Sequence, residues 1–128
     1  MAVDISYDGE WIHITFGDAI TAADLTAVIH HVIDLEGRLA VTPDRLVDLG
    51  PSTTTLAIGY SDISNVVQAR RATAPANPIR TAVIAHSAVQ QGYARMFQTL
   101  NDHPSITIAV FSDRAAAQAW LRQPRGSQ

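Results

Sequence analysis

Asp48 and His86 are the residues of this chain best placed to do chemistry. Each ends an apolar stretch that reads as a parallel strand, RLVDL in one case and IRTAVIAH in the other. A hydroxyl run, Ser52, Thr53, Thr54 and Thr55, follows the first stretch, and Ser61 comes shortly after. In open α/β sheets, ligands bind beyond the carboxyl ends of strands, beside helix N-termini. A carboxylate, an imidazole and a hydroxyl meeting there make a candidate hydrolytic set. Without a nucleophile, the same crevice is a site for an anion or a small molecule. Some hydroxyls also have structural uses: Ser87 and Gln90 stand at capping-box spacing, and Ser61 reads as the N-cap of its helix.

The other polar residues point to less. His30 and His31 project away from the apolar stripe of their helix and diverge from each other, so they read as solvated surface. His13 shares a strand face with Trp11 and Thr15, opposite Ile12 and Ile14; that face is a candidate interface for a partner or a second copy. His103 precedes Pro104 in a turn. Asp4, Asp8 and Glu10 crowd a hairpin, where a solvated edge is expected rather than a metal site. Arg70, Arg71 and Arg80 offer an anionic-ligand patch, but adjacent arginines at a helix C-terminus also complement its dipole, the reading preferred here. Tyr93, Met96 and Phe97 offer the wall of an apolar ligand pocket, but at helical spacing ordinary core is the reading preferred here. No GxSxG, GxGxxG, HExxH or Walker motif occurs.

Composition narrows the field further. The 128 residues fit one domain, 1–128, and the 47% hydrophobic, 16% charged balance is that of a globular chain. Cysteine is absent, which excludes disulfides and thiolate chemistry. All nine basic residues are Arg, which excludes a Schiff-base or P-loop lysine. A net charge of −3 argues against nucleic acid as a partner. No apolar run is long enough to span a membrane, and MAVDISYDGE lacks the marks of a secretion signal. A cytoplasmic protein without cofactor or metal is expected.

The elements that must position these residues follow from periodicity. Val3, Ile5 and Tyr7 alternate, Asp8-Gly9 turns, and Ile12, Ile14 and Phe16 alternate again, which predicts a hairpin. TAADLTAVIHHVIDLEG carries Leu25, Val28, Ile29, Val32 and Ile33 on one helical face, with Thr21 and Asp24 at cap spacing. A helix over 61–73 ends before PANP, with Ile63, Val66 and Val67 inward. Another places Val89, Tyr93, Met96, Phe97 and Leu100 on one stripe. ITIAVF is a last strand and SDRAAAQAWL a closing helix. The predicted order is ββαβαβαβα, a mostly parallel mixed α/β sheet with an antiparallel N-terminal hairpin, an ordered core over about 3–121 and a frayed tail over 122–128.

ITFGDAITAADL, RLVDLG, TAVIAH and IAVFSDRAAAQAWL together resemble the SpoIIAA-like (STAS-like) family, small bacterial proteins related to anti-sigma-factor antagonist domains. The resemblance spans about residues 3–121. It implies a four- or five-stranded sheet wound with helices and no intrinsic catalysis. In STAS antagonists, a serine after the strand matching RLVDL is phosphorylated to control partner binding; here the nearest positions are Ser52, Thr53, Thr54, Thr55 and Ser61, and the usual Asp-Ser-Ser-Gly type motif is replaced by GPSTTTLAIGYSDI. The core winding is also similar to CRAL-TRIO lipid-binding domains, whose additional helices this chain lacks, so lipid transfer is not expected. The expectation is a non-enzymatic binding or regulatory module acting through a protein partner or itself, as a homodimer. The alternatives are a binder of small molecules or anions at the strand-end crevice, and a hydrolase built on Asp48 and His86.

Overall fold

The computed structural model describes residues 3–73 and 75–124. Val3–Tyr7 (β1) and Trp11–Phe16 (β2) form the antiparallel hairpin, with Val3 opposite Phe16 and Tyr7 opposite Ile12. Its turn holds because Asp8 Oδ1 accepts the backbone N–H groups of Trp11 and Glu10, both at 2.8 Å. Gly9 supplies the φ of +92° that a side chain would resist. Asp8 Oδ2 lies 2.7 Å from His13 Nε2. Those two backbone donors first, and His13 after them, hold the Asp8 carboxyl down at about 2.

The chain continues through Ala19–Thr21 (β3), Ala22–Gly37 (α1), Asp44–Asp48 (β4), Thr55–Ala57 (β5) and Tyr60–Ala72 (α2). Ile79–Ile84 (β6), Ala88–Leu100 (α3), Ile106–Phe111 (β7) and Arg114–Leu121 (α4) complete it. The main sheet runs β1-β2-β4-β6-β7, antiparallel at the hairpin and parallel elsewhere. This is the predicted mixed α/β architecture with one addition. β3 and β5 pair in parallel beside it, Ile20 opposite Leu56, as two three-residue strands whose alternation is too short to stand out in the sequence.

Each parallel crossover steps one strand further in the same direction, and right-handed connections then put α1, α2 and α3 on one face. Packing follows that rule. Ile12, Ile14 and Phe16 meet Val32, Leu25 and Val28 of α1, while Val83, Ile106 and Ile108 meet Ala94 and Phe97 of α3. α2 packs chiefly on α1 and α3 rather than on a strand, so it roofs the centre of the sheet. α4 lies alone on the opposite face, where Ala117 and Leu121 cover Trp11, Leu46, Ala82 and Ile84.

Local chemistry fixes the helix starts. Thr21 and Asp24 form the full reciprocal cap of α1. At α3, Ser87 Oγ accepts the Gln90 N–H, but Gln90 Oε1 turns to the His86 N–H, so only half of the expected box forms. At α2 the N-cap is Gly59, not Ser61; the Asp62 carboxylate accepts the Gly59 N–H at 2.8 Å and leaves Ser61 exposed in the first turn. Val89 faces solvent at the edge of its helical stripe instead of packing inward. The tail holds further than expected: Arg80 donates to the Trp120, Gln123 and Pro124 carbonyls, tying down residues 122–124. The remainder of the expected frayed segment, 125–128, lies outside the described residues.

Candidate functional site

The strand ends bring Asp48 and His86 together, as their positions implied. His86 Nε2 lies 2.9 Å from Asp48 Oδ1, which also accepts the Gly50 N–H at 2.9 Å. Asp48 Oδ2 accepts from Arg114 Nη2 at 2.9 Å, a partner not anticipated from sequence. Arg114 is the first residue of α4, so Asp48 fastens that helix to the end of the sheet. A hydrolytic set needs a hydroxyl on the far side of the imidazole. Among the described residues, no serine or threonine hydroxyl hydrogen-bonds the His86 ring, and Asp48 is engaged on both oxygens. The arrangement organises a helix start and a loop.

The hydroxyl run disperses. Thr54 is buried and donates to the Gly17 carbonyl at 2.7 Å, bracing the loop against the end of β2. Gly50 makes that approach possible: its φ is +87°, and a Cβ there would stand 2.6 Å from Thr54 Oγ1 and 2.7 Å from the Phe16 carbonyl. Thr55 enters β5, its N–H bonded to the Asp18 carbonyl. Ser52 and Thr53 are exposed at a turn closed by Thr54 N–H on the Pro51 carbonyl, with β5 and Gly59 between them and the first turn of α2. A phosphate on either would therefore miss that helix N-terminus, and Ser61 is the hydroxyl of the set that stands there.

The proposed interface face is largely closed. Trp11 is 5% exposed beneath Ala117 and Leu121, with the Arg122 guanidinium 5.0 Å from its ring centre. His13 is partly buried on Asp8, and Thr15 is exposed. Alternation placed Trp11 on the second face correctly, but α4 covers it, so Trp11 is core and not an interface residue. Nor do Arg70, Arg71 and Arg80 gather into a patch. Arg71 pairs with Asp102, Arg80 caps α4 on the opposite face, and Arg70 turns inward.

That inward turn marks the most distinctive part of the molecule. Beneath α2, between the sheet and α1 and α3, lies a cavity of about 160 Å³. Its walls are aliphatic and aromatic, among them Ile14, Val47, Val67, Val83 and Phe97, and Tyr93 joins them with its hydroxyl donating to the Ile58 carbonyl. Tyr93 and Phe97, read from their spacing as plain core, therefore line an open space. Two arginines also border it: Arg45, facing inward from the second position of β4, and Arg70, from the last turn of α2. Their side chains are only 7% and 9% exposed.

Both arginines share one carboxylate, Glu36 at the end of α1, which is itself 10% exposed. Arg70 Nη1 and Nη2 lie 3.0 and 3.3 Å from its two oxygens, and Arg45 Nη2 pairs with Oε2. Two cations on one anion leave a surplus positive charge in a poorly hydrated interior, and the Nε–H groups of both Arg45 and Arg70 are buried without a partner. Burial, then the like charge of Arg70, pushes the Arg45 guanidinium down to about 9. Burial lowers Arg70 as well. Sequence reasoning passed over this trio, although an arginine in phase with Val47 on the inner face of a central strand was a signal of it.

Among the described residues, no group of three or more His, Asp or Glu side chains is gathered to hold a metal ion, and no helix is long and apolar enough to cross a membrane. Comparison with protein-family models, curated proteins and solved structures gives no significant match for the chain.

Proposed function

We propose that this chain is a cytoplasmic, non-enzymatic binding module of STAS-like fold that holds a small apolar ligand between its sheet and its first three helices. The observation that carries this reading is the cavity of about 160 Å³, lined almost wholly by apolar side chains. Well-packed interiors leave few voids larger than a water molecule. A void of this size is comparable to the roughly 150 Å³ cavity known to stay dry and to admit benzene. The site thus moves from the strand-end crevice expected from sequence to the helix-covered face. A five-stranded main sheet with three helices wound over one side supports the STAS-like reading, whose resemblance implies four or five strands wound with helices. Regulation through a partner or a second copy would then use the exposed Ser52, Thr53 and Ser61 region, and not Trp11.

Benzene titrated into the protein and followed by amide chemical shifts tests the reading. Saturable shifts confined to residues around Val67, Val83 and Ala94 are expected. Ala94→Leu, which puts a larger side chain at the wall, should abolish them while the protein stays folded. Shifts that are absent, or spread over the surface without saturating, would overturn the proposal.

A further inference from the structure

Resting on the cavity reading above, we infer that the natural ligand is a monocarboxylate with a short apolar tail, its carboxylate held by Arg45 and Arg70. The argument begins with charge. Two arginines border the cavity and no carboxylate does, and Glu36, paired with both, neutralises only one of them. A single added carboxylate brings the cluster to neutrality. Each of these arginines also carries a buried Nε–H donor without an acceptor, and a carboxylate brings two acceptor oxygens. Unpaired buried charge is strongly unfavourable, and guanidinium–carboxylate hydrogen bonds are among the stronger ones a protein makes.

The rest of the wall sets the tail. Ile14, Val47 and Val83 from the sheet, with Val67 and Phe97 from the helices, offer contact surface and few polar partners. A dicarboxylate or a phosphate would bring excess charge or leave oxygens unpaired against that wall, and both are disfavoured there. A volume close to that of a benzene-binding cavity limits the tail to roughly six to eight carbons, in a chain or a ring.

The test uses octanoate and its neutral counterpart 1-octanol on the full chain, by calorimetry at fixed ionic strength. Octanoate is expected to bind at least tenfold more tightly than 1-octanol. In Arg70→Met, where Arg45 and Glu36 remain as a balanced pair, octanoate should fall to the level of 1-octanol while 1-octanol binding persists. Arg71→Met, whose guanidinium sits on exposed Asp102, should behave as wild type. If 1-octanol binds as tightly as octanoate, the carboxylate inference is overturned and the apolar cavity stands. If neither binds up to its solubility, both readings fall. If inorganic phosphate alone displaces octanoate, the site is a simple anion site and the inference is again overturned. Should Arg70→Met not fold, the wild-type comparison of the two ligands still decides.

Discussion

Glu36→Gln is the sharpest single perturbation of this protein. The substitution keeps the shape of the side chain and removes the one negative charge shared by Arg45 and Arg70. Two guanidiniums, each less than a tenth exposed, would then face each other without a counter-charge. Removing one partner of a buried ion pair costs about 3–5 kcal/mol, and the doubled positive charge places this case at the upper end. A domain of this length has a total stability of roughly 6–19 kcal/mol, so the loss is a large part of it. Urea unfolding followed by the fluorescence of Trp11 and Trp120 measures it directly. With a slope of ~2 kcal/mol per molar, the midpoint should fall by about 2.5 M. Asp34→Asn is the control, because its pair with Arg38 is exposed and spaced i,i+4; such pairs contribute about 0.5 kcal/mol or less. Replacing Glu36, Arg45 and Arg70 together by Leu, Met and Met should restore most of the lost stability, since a buried charged trio is rarely better than apolar packing of the same volume. A Glu36→Gln midpoint indistinguishable from that of Asp34→Asn would refute the view that this carboxylate neutralises a desolvated cluster.

Three more perturbations read other parts of the structure. Gly50→Ala should cost at least about 2 kcal/mol in the same unfolding assay, through an unfavourable positive φ and the collision with Thr54 and the Phe16 carbonyl; a neutral result would mean that the loop can be re-laid without loss. Leu121→Ala should cost about 2–4 kcal/mol and raise the solvent exposure of Trp11, read as a red-shifted emission; unchanged emission would show that α4 does not seal that face. The Asp8 carboxyl sits at about 2 in the fold against an ordinary 3.8. The unfolded chain therefore binds its proton first as pH falls, and the stabilisation present above pH 4 is lost between there and pH 2. The stability difference between wild type and Asp8→Asn should shrink over that window, and a constant difference would assign the effect to the turn backbone alone.

Much of this architecture was legible because it depends on local periodicity. The hairpin, the Thr21–Asp24 cap and the apolar strands β6 and β7 all follow from residues a few positions apart. What was misread depends on distance along the chain. Trp11 was assigned the correct face, but its cover comes from Leu121, which no alternation pattern near Trp11 can announce. Glu36, Arg45 and Arg70 belong to three different elements and become a unit only when α2 folds over the sheet. Ser61 lost its capping role to Gly59 because Asp62 could reach back to the Gly59 N–H, a choice between neighbouring residues that propensity alone does not settle. Asp48 and His86 were placed together correctly by strand-end logic, while Arg114, the other partner of Asp48, comes from an element well down the chain.

The seating of α4 on Trp11 has a consequence for synthesis. The β1–β2 hairpin emerges with its indole bare, and its cover, Ala117 and Leu121, is made more than 100 residues later. At translation rates of about 5–20 residues per second, the interval between Trp11 and Leu121, about 110 residues, lasts roughly 5–20 seconds, against about a microsecond for a short helix to form. During that time the nascent chain presents an apolar surface that only α4 can hide. Loss of α4, eight residues long, by premature termination would therefore leave the five-stranded sheet with a sticky face, a product fit for capture by chaperones or for degradation rather than for work.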